Sequence, residues 1–294
     1  MVDVPRRKRS PLMFPNPIEK QSRGVQISYQ ALLPVVLIAW LLPLLAVMLF
    51  SIKPESDFVS GNYWGLPDTL EGFKNYGKVF FESDMPKYLW NSVRITVPTV
   101  IGCMILSSMT GFALGVYKFR ANLWIFFMFV AGNFVPFQIL MVPVRDLTVD
   151  LDMYNTVRGL VLFHVAFQTG FCTLFMRNFI RALPFELIEA ARVEGIAEWR
   201  IFWYVVLPLM KPALAAMAVL IFTFIWNDYF WAIVLTQGSE TQPVTAGITS
   251  FNAQFRAAYH LMSAGSIVAA LPPVAMFFLM QKHFIAGLTL GAVK

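Results

Sequence analysis

Six long apolar runs govern what this chain can fold into. They extend roughly from Tyr29 to Phe50, Val93 to Tyr117, Leu123 to Val144, Gly159 to Phe179, Pro212 to Leu235 and Met262 to Gln281. At about 1.5 Å of rise per residue, each reaches across the roughly 30 Å hydrocarbon core of a bilayer, so each is predicted to be a spanning helix. Composition agrees. Only 14% of the 294 residues are charged and 57% are hydrophobic, whereas a soluble domain carries about 25% charged residues. So much apolar surface does not fit inside one water-soluble core. Alternating apolar strands of the outer-membrane type are absent, which argues against a β-barrel. The expected fold class is an all-α integral membrane protein with six transmembrane helices.

A net charge of +6 raises the question of nucleic acid. Position answers it: Arg6, Arg7, Lys8, Arg9, Lys20 and Arg23 precede the first run, where the positive-inside bias expects them. No nucleic-acid module accompanies them. With the N-terminus inside, Lys118, Arg120, Arg177, Arg181, Arg192, Arg200, Lys211, Lys282 and Lys294 also fall on the cytoplasmic side. That leaves eight cations, among them Arg256, on the longer outer loops, and both termini are expected in the cytoplasm. Residues 1–28, with Pro5, Pro11, Pro15 and Pro17, read as a basic tail. The first run is too long for the apolar part of a signal peptide, so an uncleaved first span is expected. The remaining chain, 29–294, reads as one domain that includes a cytoplasmic loop, 181–211, and a C-terminal tail, 282–294. The outer loop from Ser51 to Asn91 is expected to form short interfacial helices around Trp64, Tyr76 and Tyr88. Cys103 and Cys172 lie inside apolar runs without metal-type spacing and read as small packing residues.

The stretch between the fourth and fifth runs carries the strongest signal. Pro184 suits a first helical turn, and Glu186 and Glu189 complement the positive end of a helix dipole. Phe185 with Ile188, and Leu187 with Ala191, share a helical face. Ala190 and Ala191 offer little bulk, so another surface can approach closely. Gly195 fits the position that ends a helix in a left-handed turn. A second short helix then runs towards Leu207-Pro208. The expectation is two short helices lying on the cytoplasmic face.

At these residues the chain resembles a known family. Glu189-Ala190-Ala191, Gly195 and Leu207-Pro208 are similar to the EAA loop of membrane subunits of ATP-binding-cassette importers. Asn91-Ser92, Trp226-Asn227-Asp228 and the closing Gly287-Leu-Thr-Leu-Gly291-Ala-Val-Lys294 extend the resemblance to the carbohydrate-uptake branch, in particular its shorter, maltose-permease-like subunit. Glu194 departs from the more frequent Asp but keeps the charge. The resemblance implies a type I importer permease fold, with Glu186, Glu189, Ala190, Ala191, Gly195, Leu207 and Pro208 coupling the chain to an ATPase. It implies a second homologous permease, two copies of an ABC ATPase subunit that hold ATP and magnesium, and an extracytoplasmic solute-binding protein. This chain itself would need no cofactor and would sit in the plasma (inner) membrane of a bacterium.

Other signals are weaker. Gly72-Phe-Lys-Asn-Tyr-Gly77-Lys78 approaches a phosphate-binding loop, but Val79 stands where Ser or Thr would hold magnesium, and no strand is expected before it. Asp228 is the one acid expected inside a span. Burying it there costs about 2.5–3.5 kcal/mol on insertion scales, so it must face protein or water. Two readings stand side by side: with Asn227 and Gln168 it lines a translocation path, or it hydrogen-bonds a neighbouring helix or a second subunit. Asn133, Pro136 and Gln138 mark a kink, or simple packing irregularity, in the third run. Trp226, Tyr229, Phe230 and Trp231 either stack on sugar rings or pack. Gly111 and Gly115 permit close helix approach. His164, His260 and His283 are scattered, and no catalytic set converges. A stand-alone secondary transporter or channel seeded by Asp228 is the rival; it leaves the loop unexplained.

Overall fold

The computed structural model describes residues 18–69, 72–254 and 258–292. The basic tail as far as Pro17, Arg256 and Lys294 lie outside them. The described residues contain α-helices joined by short turns and no strand. α1 (Arg23–Ser51) is apolar throughout and turns nearly all its side chains outward, packing along one neighbour, α14. Its end is tied to the following loop by a fully buried ion pair. Lys53 Nζ stands 3.4 Å from Asp57 Oδ2 in α2 (Glu55–Val59), and Asn75 Nδ2 donates to the carbonyls of Ser51 and Lys53 at 3.0 and 2.9 Å. α3 (Phe73–Phe81) carries Asn75. At its start a Cβ on Gly72 would lie 1.4 Å from the Ile52 carbonyl, so no larger residue fits. The segment that approaches a phosphate-binding loop is therefore mostly helix.

α4 (Met85–Val116) begins with Pro86 in its first turn, two turns ahead of the expected Val93. Tyr88, Asn91 and Ser92 accordingly belong to the helix rather than to an interfacial piece. Asn91 Nδ2 donates to the carbonyls of Ser239 and Gln242, and Ser92 Oγ accepts from Val244 N–H. The pair thus fixes a distant loop. The third run is not one helix. α5 (Asn122–Gly132) stops, Pro136 removes a donor, and a 3₁₀ turn (Phe137–Leu140) leads into α6 (Met141–Asp150). The two halves meet at 88°, so the run from Leu123 to Val144 is broken where Asn133, Pro136 and Gln138 mark a kink.

α7 (Val157–Arg181) is capped by Thr156, whose hydroxyl accepts from Gly159 N–H at 3.0 Å. It lies against α4 at the centre of the molecule. A Cβ on Gly111 would come within 2.8 Å of Met176 Cβ, and one on Gly115 within 3.3 Å of Ile180, so the two glycines set the approach. Cys103 and Cys172 are buried, unpaired, in the same core.

α8 (Glu186–Val193) and α9 (Glu198–Ile201) form the loop. α9 continues through a π-helical turn (Phe202–Val206) into α10 (Leu207–Leu209) and, after a 73° bend, into α11 (Lys211–Trp226). Pro208 and Pro212, which cannot donate to carbonyls four residues back, account for the π turn and the bend. The fifth run ends earlier than expected: Asn227–Tyr229 interrupt it before α12 (Phe230–Leu235). α13 (Val244–Gln254) and α14 (Tyr259–Ala292) complete the chain. The backbone of α14 stays helical through Gly287 and Gly291, in the tail expected beyond the last span. Among the described residues, four helices are long and apolar enough to cross a membrane alone, and six spans result if each bent pair counts as one.

Candidate functional site

Two places hold the candidate residues, at opposite ends of α7. The first is the loop. α8 has no side-chain cap, and Pro184 stands two residues ahead of it rather than in its first turn. Glu186 and Glu189 fall in the first turn and Arg192 in the last, as the dipole favours. The helix has an inner and an outer face. Ile188 (2% exposed) and Ala191 (7%) sink into the core that also holds Phe112, Val116, Ile180, Ile201 and Phe202. Glu186, Leu187, Glu189, Ala190 and Val193 (89%) face outward. The Ala190-Ala191 pair is thus divided: Ala190 leaves the surface low, and Ala191 lets α8 settle on the core.

Gly195 has φ +75° and ends α8 as expected, with open space where a Cβ would stand. Its N–H reaches the Arg192 carbonyl at 3.0 Å, and Ile196 N–H reaches that of Ala191 at 3.0 Å. The turn is locked by charge. Glu198 accepts from Arg192 Nε at 2.7 Å and Nη2 at 3.2 Å, and from Tyr117 Oη, just beyond α4, at 2.8 Å. The Arg192 hydrogen bond holds the Glu198 carboxyl below its ordinary value, although partial burial opposes this. Burial, then the hydrogen bond to Glu198, pushes the Tyr117 hydroxyl up to about 12. Leu207 packs into the core while Pro208 is exposed.

The second place is the interruption after α11. Asp228 is not inside a helix there. Its carboxylate accepts from the N–H groups of Trp231 (3.4 Å) and Ala232 (3.1 Å), capping α12, and stands 3.5 Å from Nε2 of the buried His164. Backbone donors and a helix N-terminus compensate the charge at this depth. Thr245 Oγ1 donates to the Asp228 carbonyl, bringing in α13. The carboxylate thus caps the helix that follows it in sequence, a local contact that neither reading of Asp228 had named. Asn227 is exposed, its amide bonded back to Thr223. Gln168 is half-buried one turn from His164 on α7, and the carboxylate is turned to His164 rather than to it. Trp226 and Trp231 are buried, packed on Phe222 and Phe163, whereas Tyr229 is exposed. In the sequence His164 stood only as one of three scattered histidines, yet one ionisable ring in an apolar helix implies a partner, and Asp228 was the available acid.

Among the described residues no cluster of His, Cys, Asp and Glu is placed to hold a metal ion. The fold and its loop define a helical membrane protein with one short amphipathic helix rooted in its core and free on its outer face. The family model described as "Binding-protein-dependent transport system inner membrane component" matches residues 105–289, and this chain belongs to that family. It is a permease subunit, not an enzyme. It is 34% identical to the arabinooligosaccharides transport system permease protein AraQ of Halalkalibacterium halodurans over 86% of this chain and 90% of that protein. The melibiose/raffinose/stachyose import permease protein MelC of Bacillus subtilis is 30% identical over 88% and 94%. In fold the chain matches a crystal structure of a bacterial ABC transporter involved in the import of the acidic polysaccharide alginate, with TM-score 0.79, 23% identity and coverage of 90% and 99%. Family membership sets aside the stand-alone carrier.

Proposed function

We propose that this chain forms half of the translocation path of an ATP-driven importer for a sugar or a related polyol. Its relatives are named for arabinooligosaccharides and for melibiose, raffinose and stachyose, which supports a carbohydrate. The other half belongs to a second, homologous permease. Two copies of an ATPase subunit bind ATP and magnesium beneath them, and a solute-binding protein delivers the solute from outside. Both termini and the 181–211 loop face the cytoplasm.

The observation that carries the reading is α8 itself. Its outer face, Glu186, Leu187, Glu189, Ala190 and Val193, is free and low, while Ile188 and Ala191 root it in the core shared by α4, α7 and α11. In this reading α8 seats in the ATPase, and Gly195, Leu207 and Pro208 shape the turn and the bend that join it to α11. Closure of the ATPases then moves α8 and, as a rigid body, the helices it is rooted in. The interruption at Asn227 and Asp228, with Gln168 nearby on α7, lies on the wall of the path. Asp228 holds its shape, and exposed Asn227 meets solute.

Gentle affinity purification of the tagged chain from its native membrane, with mass spectrometry of what accompanies it, tests the assembly. A second permease and an ATPase are expected, and the accompanying binding protein then reports its solute in a sugar screen. A solitary chain, reproducible after crosslinking, would overturn the proposal.

A further inference from the structure

At the end of the molecule that carries α8, the end of α4, the start of α5 and the last turns of α7 border an open cavity of about 720 Å³. Lys118, Arg120, Arg177 and Arg181 line it, and no carboxylate does. Arg177 is only 7% exposed. Its Nε donates to the Leu114 carbonyl at 3.2 Å, and its guanidinium lies 3.9 Å from the centre of the Phe126 ring. Among the described residues it has no acidic partner, and the like charge of Arg181 stands one helical turn away. Glu198, which touches the lining residue Tyr117, is already taken by Arg192 at two points. A guanidinium this buried demands a counter-charge, and a fork of arginines beside a lysine suits the oxygens of a phosphate.

The surroundings say where that phosphate comes from. Phe119, Leu123 and Trp124 are exposed beside the cavity, at the mouth of the apolar α5. Aromatic and aliphatic side chains flanking cations at the end of a membrane helix mark the headgroup level of a leaflet. We propose that the cavity is a binding site for the headgroup phosphate of an anionic glycerophospholipid, whose acyl chains run along α5. The lipid neutralises Arg177 and Arg181 and stiffens the junction of α4, α5 and α7 beside the α8 turn.

The test uses the purified transporter in uncharged detergent, offered equal amounts of phosphatidylglycerol and phosphatidylcholine, with retained lipid read by native mass spectrometry. Preferential retention of phosphatidylglycerol is expected. The double change Lys118→Gln and Arg181→Gln, both exposed, should lower it by roughly tenfold or more, the scale expected for removing two cations that meet an anionic headgroup. Should that variant not assemble, Lys118→Gln and Arg120→Gln singly carry the same expectation at smaller size. Equal retention by parent and variants would overturn the proposal. So would displacement of the lipid by soluble glycerol phosphate at matching concentration, which would make the ligand a free phosphate ester. Zero-length crosslinking of Lys118 to an ATPase carboxylate, with no lipid retained, would instead assign the cavity to a protein partner and overturn it too.

Discussion

Pro273 has no N–H, so the carbonyl of Ala269, four residues earlier in α14, loses its helical donor. Trp226 Nε1–H supplies one from α11 at 2.9 Å. Replacing Trp226 with Phe would leave that carbonyl buried and unpaired and should cost about 1–3 kcal/mol. Thermal unfolding of the purified complex measures it; an unchanged midpoint would contradict the pairing. Asp228 is held in the same spirit. Asp228→Asn keeps one of the two oxygens, so it can retain the shorter bond from Ala232 N–H while losing that from Trp231, and should cost less stability than losing the full cap. Asp228→Ala removes the cap and should lower it by about 0.5–2 kcal/mol, by the same assay. At this scale the sequence was only partly readable. It showed that a lone acid in an apolar stretch must find partners, but His164, more than sixty residues earlier, becomes one only through packing. Asn155 was not legible at all. Its φ of +54° and its Oδ1, which accepts from Gln237 N–H and Thr241 Oγ1, serve a contact between distant segments.

The α8–α10 loop was the most legible element, because its signals are local: acids in the first turn, a glycine at the left-handed turn and prolines at the bend. The interruptions at residues 133–136 and 227–229 were only partly so: Asn133, Pro136, Asn227 and Asp228 mark the places, but the long apolar runs on either side do not show that the helix stops there. At Gly195 nothing crowds a Cβ, so any penalty there is backbone alone. Gly195→Val should cost roughly 1–2 kcal/mol of turn geometry and lower uptake per ATP hydrolysed, whereas Gly195→Asn, which tolerates this region, should restore it. Proteoliposomes reporting both rates decide; equal coupling in the two variants would contradict a role for the turn. The Tyr117–Glu198–Arg192 lock predicts a pH response. Glu198 has a lowered pKa when folded, so its stabilisation is full above the ordinary carboxylate value of about 4.3 and is lost as pH falls below it. For Tyr117 the raised value reverses the sign. Its contribution holds below about 10 and is lost as pH rises through about 12. Limited proteolysis at the α8–α9 turn should therefore accelerate at the acid end for the parent chain, and Glu198→Gln should be cut readily at neutral pH. A parent and variant with the same profile would show that the lock does not hold the turn.

At the scale of the molecule, much of the apolar surface has no partner within the chain. α1 turns outward almost everywhere, and the broken third run leaves Phe134 and Ile139 exposed. In a bilayer this is ordinary, and in a two-permease assembly part of it meets the second subunit. Helices α4, α7 and α11 nonetheless share one continuous core into which α8 is rooted. The number of runs and their class followed from the long apolar stretches, whereas the shared core depends on contacts far apart in sequence. In the proposed importer α8 carries the force of the ATPase to the path. That role is tested most directly by placing a photo-crosslinking side chain at position 190, on the outer face, and at position 188, on the inner one, in the assembled transporter. An efficient crosslink from 190 to the ATPase subunit that changes with nucleotide is expected, and none from 188. No ATPase crosslink from 190 in a complex that still transports would contradict it.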